Sequence, residues 1–311
     1  MNYPVFFDCK NSLNLFGLEK NFKFLIDIYR KKKFPKVLLL TGNKGCGKST
    51  LVNHFLFSIF DKKNYDEKNL TLLKTSNLSE QFKNKCYTNV IHINGSDFKA
   101  VSIDDIRNLK NKIFKTTISD LDRFIILDDI ELFNINSLNA LLKIIEEPSK
   151  KNYFIIIYNQ SKPLLETIRS RSLELKIFLS EASRIKIINA LINKHELDTT
   201  LDPIESKLSP GNFIKYNHIC KEHDISSNND LIENLNLLLN LYKKNKDLIY
   251  YNIAFFITDF YFKGLKDNNS CNSDKIYEIK NFIFDNLNNF LLYNINQNIL
   301  INKLSNKLNH E

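Results

Sequence analysis

Residues 36–59 dictate a strand, a tight loop and a helix in direct succession. The hydrophobic run Lys36-Val37-Leu38-Leu39-Leu40 leads into Thr41-Gly42-Asn43-Lys44-Gly45-Cys46-Gly47-Lys48-Ser49-Thr50. An apolar helical pattern, Leu51, Val52, Phe55, Leu56 and Ile59, leads out. Gly42, Gly47, Lys48 and Ser49 satisfy G-x-x-x-x-G-K-[ST], and strand-loop-helix is the context in which that pattern binds phosphate. Three of the seven glycines in the chain sit here, where backbone N–H groups must wrap a polyphosphate with no side chain intruding. The N-terminus of the following helix adds partial positive charge. Lys48 is placed to reach β- and γ-phosphates and Ser49 to hold Mg²⁺, with Asn43, Lys44, Gly45, Cys46 and Thr50 in the same loop.

Four more short apolar runs follow: Val90-Ile91-His92-Ile93, Phe124-Ile125-Ile126-Leu127, Tyr153-Phe154-Ile155-Ile156-Ile157 and Leu173-Glu174-Leu175. Helical patterns separate them, so the spacing predicts a doubly wound α/β domain over 1–178 with a parallel sheet. The second run ends in Asp128-Asp129. Acids at the carboxyl end of a buried parallel strand face the ligand. Asp128 is expected in the Mg²⁺ shell, and hydrolysis needs a further carboxylate to orient water. Ser102 to Asp105 opens a helix with Ile106, Leu109 and Ile113 on one face, and Asn136 is positioned to cap the next, which Pro148 stops. Residues 61–86 read as polar surface elaboration. Strands disappear after 178, and the pattern predicts a helical lid over 179–225 and an all-α domain over 226–311.

Net charge is +9, which permits contact with nucleic acid. Only six of the 44 basic residues are arginine, so an arginine retained in so lysine-biased a chain points to a need for its planar fork. The five cysteines, Cys9, Cys46, Cys86, Cys220 and Cys271, form no C-x-x-C pair and suggest neither zinc nor a disulfide framework. That usage fits a reducing cytoplasm. The apolar stretch Ile253 to Phe262 is too short to span a bilayer.

The order of these pieces resembles the AAA+ clamp-loader family, and within it the delta-prime type of subunit in the bacterial DNA polymerase III loader. The resemblance rests on the loop to Ser49, Ile103 to Leu109 with Arg107, Ala140 to Pro148 as a signature helix, Thr167 to Ser172, and the tail from Tyr293. It implies an AAA+ domain, a lid and a helical collar. It also implies ATP or ADP with Mg²⁺, and a five-membered ring with ATPase and delta-type subunits that places the sliding clamp on primed DNA. Arg171 then takes the role of an arginine finger acting in trans on a neighbour's γ-phosphate.

Several positions depart from that pattern. Asp129 stands where ATPase subunits carry glutamate, one methylene shorter, and Glu131 is expected to point elsewhere. Asn159 falls at the position of a γ-phosphate sensor on the fourth strand. Pro210-Gly211-Asn212 falls where a sensor arginine is expected, Asn212 carries no charge, and the four-cysteine zinc module of many relatives is missing. The expectation is a subunit that binds nucleotide, hydrolyses it weakly or not at all, and serves as the fixed member of the ring. An active ATPase subunit of the same loader, a stand-alone P-loop kinase and a lysine-rich DNA scaffold are the alternatives.

Overall fold

A computed structural model describes residues 3–84, 86–96, 101–114, 121–148, 150–226, 230–267 and 273–309. Cys271 lies outside them, and among the described residues Cys9, Cys46, Cys86 and Cys220 form no disulfide. The chain divides into two compact units, one of Tyr3–Glu196 with Leu208–Ile214, the other of Leu197–Lys207 with Lys215–Glu311. The lid expected over 179–225 is thus shared between them.

In the first unit, α1 (Glu19–Arg30) precedes β1 (Val37–Thr41) and α2 (Lys48–Phe60). A two-stranded hairpin of β2 (Tyr65–Asp66) and β3 (Thr71–Leu72) leads to α3 (Asn77–Lys83). Then come β4 (Val90–Asn94), α4 (Ile103–Phe114), β5 (Arg123–Asp128), α5 (Ile135–Glu146), β6 (Asn152–Tyr158), α6 (Glu166–Arg169), β7 (Leu173–Lys176) and α7 (Glu181–His195). The main sheet runs β4-β5-β6-β1-β7, all parallel. These are the five strands expected from the apolar runs.

Alternation along β1 explains why its run is continuous. Leu38 and Leu40 join a core cluster with Phe22, Leu51 and Phe55 from α1 and α2. Val37 and Leu39 join another with Ile106, Leu109, Leu138 and Leu141 from α4 and α5. Successive side chains point to opposite faces, and both faces are covered, so every position must be apolar. β1 lies between β6 and β7, with Leu39 paired to Ile156 and to Glu174. The carboxyl ends of β1, β5 and β6 are therefore held side by side.

Two local expectations need correction. Residues 61–86 are more than surface elaboration: Tyr65, Leu70, Leu72, Leu78 and Phe82 are buried in the α1–α2 cluster. Their polar neighbours hid the signal, because strands of two residues show no periodicity. The cap of α5 is Asn134, not Asn136; the Asn134 side chain accepts from the Ser137 N–H at 2.8 Å.

The second unit contains α8 (Pro210–Glu222) from Lys215 onward, α9 (Leu231–Asn245), α10 (Leu248–Asp267), α11 (Ser273–Tyr293) and α12 (Gln297–Asn309). Leu235, Leu238, Leu239, Tyr250, Ile253, Ile283, Leu287 and Leu304 are buried in it. Leu248, Tyr277, Leu292, Tyr293 and Ile299 stay exposed. Among the described residues no helix is long and apolar enough to cross a membrane.

Candidate functional site

The loop after β1 closes on itself around Lys48. The Lys48 ammonium is buried and donates to the carbonyls of Gly42 at 2.6 Å and Asn43 at 2.8 Å, with Cys46 Sγ 3.7 Å away. Burial lowers the Lys48 pKa, opposed by the neighbouring Cys46 sulfur and by the charges of Asp128 and Glu131. Burial raises that of the Cys46 thiol. Gly45 has φ +84°, and a Cβ there would lie 2.4 Å from Ser209 Oγ and 2.9 Å from Asn212 N. Glycine is required on both counts. The segment opening α8 is fastened to this loop: Gly211 N–H donates to Gly45 O at 2.8 Å and Ser209 Oγ donates to Lys44 O at 2.6 Å. Thr50 is half-buried in the first turn of α2.

β5 delivers the two aspartates. Ser49 Oγ donates to Asp128 Oδ2 at 2.8 Å, joining the loop to β5. Burial raises the Asp128 pKa; the Ser49 bond acts against it, and the Asp129 charge adds to it. Asp129 has φ +50°, a left-handed turn that redirects its carboxylate from the strand end. It takes Lys44 Nζ at 3.3 Å and bonds from Ser96 Oγ and Asn159 Nδ2. Burial acts to raise the Asp129 pKa, yet the Lys44 charge and the two side-chain bonds outweigh it, and the group is held below the usual carboxylate range. Gly95 makes the approach of Ser96 possible, since a Cβ at 95 would meet Asp129 O at 2.4 Å.

The hydrogen bonds of Glu131 go to the turn after β6. Glu131 is buried and accepts from the backbone N–H groups of Asn159 at 3.0 Å and Ser161 at 3.2 Å, and from Ser161 Oγ. It thereby fixes the turn after β6 that carries Asn159. Ser49 and Asp128 offer two hard oxygens at the lip of this glycine loop, a donor set of the kind that suits Mg²⁺.

Asn43, Lys44, Gly45, Cys46, Lys48, Ser49, Asp128, Asp129 and Asn159 are thus linked by hydrogen bonds or close approach. Arg171 bonds elsewhere: Nε and Nη2 donate to Glu146 Oε1 at 2.9 and 2.6 Å, and Nη1 to Thr167 O at 3.1 Å. Sequence reasoning passed over Ser96, Ser209 and the role of Glu131. Ser96 carried a usable signal, because it closely follows the expected strand Val90–Ile93 and so lies at the carboxyl end of a strand, as Asp128 does.

Residues 17–179, just over half of the chain, match the family model described as DNA polymerase III, delta subunit. A DNA polymerase III subunit delta' from Buchnera aphidicola subsp. Baizongia pistaciae is 27% identical over 51% of this chain and 49% of its own. A second delta' subunit, from Buchnera aphidicola subsp. Schizaphis graminum, is 28% identical over 64% of this chain and 61% of its own. A DNA polymerase III subunit gamma from Buchnera aphidicola subsp. Acyrthosiphon pisum is 24% identical over 52% of this chain and 44% of its own. The chain therefore spans roughly half the length of the relatives it matches. The matched region carries the glycine loop, both aspartates and the segment to Ser172, and the chain belongs to the DNA polymerase III delta subunit family of clamp-loader proteins.

Proposed function

We propose that this chain is a delta-prime type subunit that binds ATP or ADP with Mg²⁺, hydrolyses it weakly or not at all, and donates Arg171 to the nucleotide of a neighbouring subunit. The observation that carries the reading is the 2.8 Å bond from Ser49 Oγ to Asp128 Oδ2. It joins the loop hydroxyl and the strand-end carboxylate that Mg²⁺ would share. Bound there, Mg²⁺ would neutralise charge on the phosphate oxygens. Lys48 supplies the cation for the β- and γ-phosphates once it exchanges the Gly42 and Asn43 carbonyls for them, and loop N–H groups orient the chain of phosphates.

Weak turnover follows from Asp129. A carboxylate that already accepts from Lys44 and Ser96 on Oδ2 and from Asn159 on Oδ1 has most of its acceptor capacity in use and its basicity reduced, so it is a poor partner for a nucleophilic water. Asn212, beside the loop, brings no positive charge. Within the loader the subunit would act as the fixed member of a pentameric ring with ATPase and delta-type subunits. It would meet the sliding clamp and primed DNA through that cytoplasmic assembly. The exposed apolar side chains of the helical unit suit a collar surface.

A fluorescent ATP analogue tests the reading. The chain should bind it with Mg²⁺, Lys48→Ala should abolish binding, and steady-state hydrolysis by the chain alone should be absent. The alternative of an active gamma-type subunit draws on the intact loop and the gamma relatives. It requires that changing only Lys48 lower turnover of the assembled ring by this site's full share.

A further inference from the structure

The Arg171 guanidinium is held by the carboxylate that ends α5. Its Nε and Nη2 edge meets Glu146 Oε1 at 2.9 and 2.6 Å, while Nη1 donates to Thr167 O at 3.1 Å and to Ser170 Oγ at 3.4 Å. Both side chains are part-exposed, 36% for Arg171 and 46% for Glu146, so a neighbouring molecule can reach the pair.

Glu146 is a costly choice for its place. It is the last residue of α5, where the helix dipole disfavours an acid, and Glu147 follows it. Helix stability alone would select lysine or arginine. The residue makes physical sense as half of an ion pair whose arginine must hold one orientation, since Nε and Nη2 both donate to the single oxygen Oε1 while Nη1 donates to Thr167 O, which holds the guanidinium at two edges.

The rest of the segment is tied to the same stretch of chain. Glu131 grips Asn159 and Ser161 where the segment leaves β6. Ile168, fully buried, packs in the cluster of Leu141 and Ile145 of α5. Residues 159–171 are therefore held at the start by Glu131 and at the arginine by Glu146, with Ile168 in the core cluster that also takes in Leu141 and Ile145 of α5.

We infer that Glu146 is a positioning residue for Arg171: it orients the guanidinium for the phosphate of a neighbouring subunit and couples that orientation, through α5, to this chain's own nucleotide site. The inference rests on the arginine-finger reading above. A misplaced catalytic group costs on the order of 10²-fold in rate, less than removal of the finger itself, about 10³–10⁵-fold at the site it serves.

The test uses the assembled loader with its ATPase subunits, clamp and primed DNA. Arg171→Ala, Glu146→Ala, Glu146→Gln and the double variant Glu146→Ala with Arg171→Ala are compared in steady-state ATP turnover. Glu146→Ala is expected to lower kcat about tenfold or more at the served site with KM for ATP unchanged. Glu146→Gln, which keeps an acceptor oxygen, should recover much of the rate. In the Arg171→Ala background the loss of Glu146 should cost nothing further. A Glu146→Ala loader with unchanged or raised kcat overturns the inference, as does an additive loss in the double variant. If Arg171→Ala is itself silent, the finger reading fails and this one falls with it, whereas a damaged Arg171→Ala beside a silent Glu146→Ala removes this inference alone.

Discussion

Ser49 and Asp128, 79 residues apart, share a hydrogen bond of 2.8 Å across the carboxyl edge of the sheet. Each is buried or half-buried, and each would be a poor choice there as a mere packing residue. Ser49→Ala should fold, because a half-buried hydroxyl loses one bond, and it should weaken binding of the ATP analogue only when Mg²⁺ is present. Asp128→Asn should do the same. Lys48→Ala should remove binding with or without the metal. Titration of analogue fluorescence in Mg²⁺ and in EDTA separates the two patterns.

Gly45 offers a second test. An alanine there must adopt φ +84° and place its Cβ 2.4 Å from Ser209 Oγ. The strain alone costs roughly 1–3 kcal/mol. Gly45→Ala should lower the melting temperature and weaken nucleotide binding together, because the start of α8 is fastened to the same loop. Thermal denaturation with and without ATP checks both.

The five strands and the glycine loop between β1 and α2 were legible because their signals are local: continuous apolar runs, and a glycine pattern that a backbone loop alone requires. Asp128 was legible for the same reason, as the residue ending such a run. What joins the site was not. The Lys44–Asp129 pair and the Asn159–Asp129 bond span 85 and 30 residues, and nothing local marks either one. Ser209 and Gly211 reach the loop from a segment in which the sequence drew attention only to the uncharged Asn212. The small hairpin at 65–72 was missed because Tyr65 and Leu72 become a core pair only when paired across the turn.

His54 predicts the acid response of the α/β unit. Its ring is buried; Nε2–H donates to Ser12 O, and Nδ1 accepts from the Tyr65 hydroxyl, each at 3.0 Å. Burial lowers its pKa from 6.5 to about 4, with the Ser12 bond acting against and the Lys194 charge acting along. Above pH 6.5 the ring is neutral in both folded and unfolded chains. Between pH 6.5 and about 4 the unfolded chain takes up the proton first, so stability falls as pH falls. The loss is on the order of 3 kcal/mol when complete. Urea titrations at pH 7 and pH 4.5 should show it, and His54→Gln should be less stable at pH 7 yet flatten the slope.

The helical unit keeps Leu292 and Tyr293 at the end of α11 about three-quarters exposed (74% and 73%), with Ile299 of α12 at 64%. A cut at residue 225 would divide this unit, which packs 197–207 and the later part of α8 with α9 to α12. Point changes are the better probe. Leu292→Glu with Tyr293→Glu should leave the circular dichroism spectrum and melting temperature within error, and should prevent co-sedimentation with the other loader subunits. Co-sedimentation at unchanged affinity would move the assembly surface elsewhere.

Arg169 and Arg171 are two residues apart and should behave differently. Arg169 bonds Glu174 at 3.3 Å, and Glu174 also accepts from Thr41 Oγ1 at the end of β1; the Arg169 guanidinium lies over the Tyr158 ring. It is built into the sheet edge. Arg169→Ala should therefore cost stability, about 1 kcal/mol for so part-exposed a pair, and affect turnover only through that loss. Arg171 is more exposed, and among the described residues its side-chain bonds go to Glu146, Thr167 and Ser170. Arg171→Ala should leave melting and assembly intact and lower the DNA-stimulated ATPase of the neighbouring subunit. Arg171→Lys should not restore it, because an ammonium cannot span two phosphate oxygens as the fork does. Measured side by side, melting temperature should single out Arg169 and ring turnover Arg171; the opposite assignment would make Arg171 a local tie and leave the neighbour's phosphate to another group.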